Sequence, residues 1–247
     1  MQKILEKNAS LLPLKAVIFD MDGLMVDSER FVQRAWDMAG EELGYGPLGF
    51  HMPHTLGMNR KRREEYFLSY YGPDFPFGLF LDTYRRFYME ETAKTGLPMK
   101  PGLVPLLNYL KEHGYAAAVA SSSSSEHVLR NLEMHHLEPY FQAVINGGMI
   151  LHSKPEPDIY LEACRQLNVS PSQALALEDA PNGILAAHRA GLYPVMVPDL
   201  VQPDEKLKPL LFHVCSSLNE VPALLEKRFY PARACLKKAL CRMCIPF

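Results

Sequence analysis

No apolar run in this 247-residue chain reaches the length of a membrane span, so no membrane segment is expected. Charge of one sign is also missing. Lys and Arg number 26 against 28 Asp and Glu, a net charge of -2. That balance gives no reason to expect a nucleic-acid or membrane surface. Cysteine is scarce: there are five, an odd number, and Cys164 and Cys215 fall inside predicted elements. A reducing cytoplasm fits this better than a disulfide framework. The stretch from Met1 to Pro13 lacks a continuous apolar segment and a small-residue cleavage site, so no signal peptide is expected. Internal repeats are absent, and Ser121 to Ser125 is the only low-complexity run.

Hydrophobic residues make up 48%, enough for a sizeable core. Ala16-Val17-Ile18-Phe19 reads as a buried strand. From Pro101 onward helix and strand patterns alternate. Leu103, Leu106, Leu107 and Leu110 recur at helical spacing and Gly114 closes that helix. Tyr115 to Ala120, Ala143 to Ile145, Ala174 to Leu177 and Tyr193 to Val197 read as strands, with helices between them. This alternation predicts an α/β fold, a doubly wound parallel sheet with helices on both faces. Residues 32–98 interrupt it with helical patterns alone. The expected organisation is a core of residues 14–31 and 99–228, a helical cap of 32–98 and a tail of 229–247. An insert directly after the first strand is well placed to act as a lid. In the tail, Cys241 and Cys244 make one C-x-x-C without a matching ligand pair, so a docked amphipathic segment is expected rather than a zinc site.

Four polar motifs fall at equivalent places, each at or just after the C-terminal end of a predicted strand. Ligands bind along that edge of open parallel sheets. The first is Asp20-Met21-Asp22-Gly23. Two carboxylates there can share work, one attacking phosphorus and one handling protons, and Gly23 allows the sharp turn that aims both inward. Asp-x-Asp-Gly also occurs in calcium loops and hairpin turns, but Met25 and Asp27 do not fit an EF-hand. The second is Ser121-Ser122-Ser123, whose hydroxyls and backbone N–H groups can hold phosphate oxygens; a flexible serine linker is the alternative. The third, Ser153-Lys154-Pro155-Glu156-Pro157-Asp158, would fix Lys154 as a positive charge between stiffening prolines, or would be a plain solvated loop. The fourth is Glu178-Asp179, hard oxygen ligands for Mg²⁺ or, for Asp179, a helix cap. Packing Asp20, Asp22, Glu178 and Asp179 together demands a counter-charge, which a divalent cation and Lys154 would supply.

These motifs, in this order, resemble those of the haloacid dehalogenase superfamily, and most closely its β-phosphoglucomutase-like and pseudouridine-5'-phosphatase-like branch with a helical cap. The resemblance covers about residues 14 to 228. It implies an Mg²⁺-dependent phosphomonoesterase acting on a small phosphorylated metabolite, a sugar phosphate or nucleoside monophosphate. Asp20 would be the nucleophile that forms an aspartyl-phosphate, and Asp22 the general acid and then base. Asp20, Glu178, Asp179 and the backbone carbonyl of Asp22 would hold Mg²⁺. Ser121, Ser122 and Lys154 would hold the phosphoryl oxygens. Within the cap, Arg60 and Trp36 are implied substrate residues, and His51 and His54 are expected to touch substrate at most. Val32 stands where the family often carries a histidine used by the mutase, which favours hydrolysis over a sugar-phosphate mutase. A phosphoacceptor or binding protein is the alternative of another class. A monomer is expected, since the cap closes over its own site.

Overall fold

A computed structural model describes residues 13–55 and 60–229. The elements run β1 Ala16–Phe19, α1 Ser28–Glu42, α2 Met52–Thr55, α3 Arg60–Tyr71, α4 Phe77–Thr95 and α5 Leu103–Glu112. They continue with β2 Ala116–Ala120, α6 Ser125–Met134, β3 Ala143–Ile145, α7 Asp158–Gln166, β4 Ala174–Glu178, α8 Pro181–Ala190, β5 Tyr193–Met196, β6 His213–Val214 and α9 Val221–Phe229. The strands form one sheet in the order β3-β2-β1-β4-β5-β6, and every pairing is parallel. The α/β fold read from the sequence is the fold observed.

β1 has nothing but apolar side chains because both of its faces are covered. Val17 and Phe19 enter one layer with the leucines of α5, Val128 and Leu132 of α6 and Leu225 of α9. Ala16 and Ile18 enter the other, against Ile159 and Ala163 of α7 and Ala186 and Ala187 of α8. β1 pairs with β2 on one side and β4 on the other. Strand order reverses direction at the β1–β4 boundary, so the crevice beyond the ends of these strands is the natural ligand site.

Between β1 and β2 the chain leaves the sheet. α1 to α4 bury a third apolar cluster of their own, including Trp36, Leu48, Phe67, Phe75 and Phe80. Helix α1 spans the junction: Phe31 near its start belongs to the sheet's core and Trp36 to the helical cluster. The two chain crossings into the helical unit are stitched together. Val26 and Met99 form an antiparallel bridge, Asp27 N donates to Pro98 O at 2.9 Å and Lys100 N to Met25 O at 2.9 Å. The Lys100 ammonium then pairs with Asp27 at 3.2 Å and Asp199 at 2.7 Å. Among the described residues, no helix is long and apolar enough to cross a membrane. The C-x-x-C of the tail lies outside the described residues.

Candidate active site

Asp20 is the first residue past β1, and its backbone N–H still donates to Leu177 of β4 at 3.0 Å. That bond brings the ends of the two central strands level, so Asp20 meets Glu178 and Asp179. Ligand oxygens of these three buried acids lie within 4.8 Å of one another. Past Asp20 the chain coils tightly: Met25 N and Val26 N both donate to Met21 O, at 2.8 and 3.1 Å. Gly23 adopts φ +81° in this coil, and a Cβ there would stand 2.2 Å from Asp179 Oδ2. Glycine serves twice, permitting the left-handed turn and leaving room for the acid. Gly183 acts alike from α8, where a Cβ would fall 1.9 Å from Glu178 Cδ.

Lys154 arrives from the loop before α7 and neutralises part of this charge. Its ammonium donates to Asp20 Oδ1 at 2.5 Å, Glu178 Oε1 at 2.6 Å and the Ala120 carbonyl at 2.9 Å, which uses all three N–H bonds. Burial alone would depress the ammonium's pKa, but Asp20 and Glu178 outweigh it and raise the pKa. The carboxylates remain in excess. Burial holds Asp20 well above the ordinary carboxyl value in spite of Lys154, with Glu178 and Asp22 pushing the same way. Asp179 is raised likewise by burial, then by Asp20 and Glu178. Three inward-facing carboxylates with one lysine between them form a hard-oxygen donor set that fits a divalent cation. Asp179 does not cap α8; Ala180 occupies the cap position and Pro181 starts the helix.

Asp22 turns the other way. Its carboxylate accepts from Ser123 Oγ at 2.6 Å and lies 2.9 Å from His127 Nε2. Burial opposes its ionisation, but bonds from His127 and Ser123 outweigh this and lower its pKa. The two acids of one motif thus occupy unlike surroundings. Asp20 is crowded by like charge, and Asp22 is held ionised by donors.

Ser121 is buried at the end of β2, with its N–H bonded to Ile145 O at 3.0 Å. Its Oγ accepts from Ser123 N at 3.1 Å, so the serine run is an ordered turn rather than a linker. Ser122 is exposed in that turn. Asp158 accepts from the backbone and ring of His152 at 3.2 and 3.0 Å, a partner within its own loop.

The cap residues fall differently. Trp36 is 1% exposed and packs edge-on to Phe67 and Phe80. The implied substrate role for Trp36 is therefore corrected: its ring is a centre of the helical cluster, because the apolar stripe of α1 faces α4. His51 is likewise buried, between the hydroxyls of Tyr66 at 2.8 Å and Tyr71 at 2.7 Å, so it is not a substrate contact in this structure. Arg60 is exposed at the start of α3, and residues 56–59 before it lie outside the described residues. Val32 packs against the helical cluster. Arg34 pairs with Glu91 of α4 at 2.6 Å.

Several contacts were not singled out from sequence. Tyr160 donates to Glu178 from α7. Glu29 lies close to the Gly23 turn beside Asp179. Arg63 of the helical unit is among the positive charges felt by Glu29, with Lys100. His127 sits one turn past the Ser124 cap of α6; a histidine in the first turn after a strand-end serine run was the available signal.

The family model for haloacid dehalogenase-like hydrolases matches residues 17–197. This chain belongs to that family. Among curated relatives, the hydrolase is 28% identical over 219 residues to the phosphorylated carbohydrates phosphatase of Thermotoga maritima, covering 86% of this chain and 91% of that one. It is 32% identical to the β-phosphoglucomutase of Bacillus subtilis, covering 74% and 83%. Among solved structures, CbbY from Rhodobacter sphaeroides in complex with phosphate superposes with a TM-score of 0.68 at 27% identity, over 84% of this chain and 96% of that one. The enzyme is a haloacid dehalogenase-type phosphatase.

Proposed function

We propose that this phosphatase hydrolyses the phosphate monoester of a small metabolite, a sugar phosphate or nucleoside monophosphate, using Mg²⁺ and an aspartyl-phosphate on Asp20. The observation that carries the reading is the buried group of Asp20, Glu178 and Asp179 with Lys154 bonded to two of its members. Asp20, Glu178, Asp179 and the Asp22 carbonyl would hold Mg²⁺, which when bound would supply charge stabilisation at the phosphoryl oxygens. Ser121 binds phosphoryl oxygens, with Ser122 contributing from the turn, and Lys154 exchanges one of its three present bonds for a phosphoryl oxygen when substrate binds. Asp20 attacks phosphorus and displaces the alcohol, which takes a proton from Asp22. Asp22 then removes a proton from water, which attacks phosphorus and frees Asp20. Ser123 and His127 favour the ionised Asp22 that the departing alcohol leaves behind, the form needed for the second step, and the proton Asp22 then takes from water restores the acid for the next turnover.

The helical unit is proposed as a cap, residues 32–98, that excludes bulk water from the reacting groups. Val32 favours hydrolysis over transfer, since its side chain cannot move a proton. Supplying its own cap, the chain is proposed to work as a monomer. The buried free thiols of Cys164 and Cys215 suit a reducing cytoplasm.

Phosphate release across a panel of sugar phosphates and nucleoside monophosphates, with Mg²⁺ and with EDTA, tests the reading. Release that needs the metal is expected. Isomerisation of a hexose phosphate without release would make the enzyme a mutase, and release undiminished by EDTA would refute the metal's part.

A further inference from the structure

A crevice with about 110 Å³ of enclosed space opens between α4 of the helical unit and α6 of the core. His127 forms one end, and the same ring contacts Asp22 at 2.9 Å, so the crevice begins where a leaving group would depart. Met89, Leu97 and Met134 give it apolar walls. Arg130 lies in the lining, one helical turn beyond His127. Arg130 is half-buried, and its charge is felt by both His127 and Tyr88. Arg130 has neither hydrogen bond nor ion pair to another described residue. Glu126, the one acid in the lining, is exposed and makes no ion pair with Arg130.

A half-buried arginine lining a largely apolar crevice without a carboxylate partner is best satisfied when an anion completes it. We propose that this crevice is the leaving-group pocket and that Arg130 selects phosphate monoesters whose carbon skeleton carries a second anionic group, a carboxylate or a phosphate. The assignment rests on the phosphatase reading above, with the reacting phosphoryl group on Asp20. Tyr88 overhangs the passage from the cap side, and its pKa is raised by burial, then by Asp22 and Glu29. It therefore stays a neutral hydroxyl able to donate to the skeleton. Position decides specificity: the anion is read from α6 of the core, not from the exposed Arg60 of the cap.

The test compares kcat/KM within matched substrate pairs, phosphoglycerate against glycerol phosphate for a carboxylate and hexose bisphosphate against hexose monophosphate for a phosphate. Wild-type enzyme is expected to favour the doubly anionic member of at least one pair by about tenfold or more. Arg130→Gln should bring that ratio close to one, mainly through KM, while Arg130→Lys keeps part of it. Which pair shows the preference identifies the anion. A ratio unchanged in Arg130→Gln, or collapsed instead by Arg60→Gln, would overturn the assignment. So would turnover of p-nitrophenyl phosphate with no preference in either pair, which leaves the phosphatase reading standing. Absence of release from every substrate would defeat that reading and the pocket together.

Discussion

Lys154 shows at the scale of one residue how the site is held together. It is bonded to Asp20, Glu178 and Ala120 O with no donor left over. Removing its charge strands two buried carboxylates beside Asp179. Lys154→Met is expected to destabilise the metal-free protein by about 3–5 kcal/mol, the usual cost of breaking a buried pair from one side. Denaturant titration in EDTA checks this, and a loss near zero would mean that the acids already share protons enough to dispense with it. Asp20, Glu178 and Asp179 were legible in the sequence because each sits at a strand end whose apolar run is unmistakable, and Lys154 because of the proline-flanked motif that carries it. His127, Glu29 and Tyr160 were not, nor was the bond Ser123 makes to Asp22. Their contacts arise where α6, α1 and α7 pack beside those strand ends, and single-residue spacing does not encode that packing.

At the scale of elements, the helical unit carries a core of aromatic rings. Phe67 stacks on Phe75, Trp36 meets Phe67 and Phe80 edge-on, and Tyr45 packs on Phe75. The sequence pattern told that these segments are helices and that no strand intervenes. It did not tell whether an aromatic on α1 points to substrate or to a neighbouring helix, since Trp36 satisfies either demand. Burial settles the point. Trp36→Ala should cost about 3–5 kcal/mol, the range for emptying a large aromatic site. Its effect belongs to the unfolding free energy, measured by thermal or chemical denaturation. A loss under about 1 kcal/mol, as for a surface site, would return Trp36 to the substrate-facing side.

At the scale of the whole molecule, the parallel sheet gathers separate strand ends into one acidic focus. Glu29 belongs to it: burial pushes its carboxyl up to about 7 from an ordinary 4.5, with Asp22 and Asp199 adding to the effect. A raised carboxyl binds its proton more tightly folded than unfolded, so stability falls as pH rises between those values. Asp20 and Asp179 shift in the same sense. The melting temperature in EDTA should therefore drop from pH 4.5 to 7, and Glu29→Gln should flatten part of that slope. A melting temperature that rises across the range would contradict the charge account. The same convergence of strand ends makes covalent chemistry at Asp20 the central claim. Its most direct measurement is a rapid acid quench of enzyme mixed with a phosphate ester and Mg²⁺, followed by peptide mass spectrometry. A phosphoryl group on Asp20, formed in a burst and absent from Asp20→Asn together with all turnover, is the result expected. Phosphate release that persists in Asp20→Asn, or turnover with no phosphorylated Asp20 at any quench time, would contradict it.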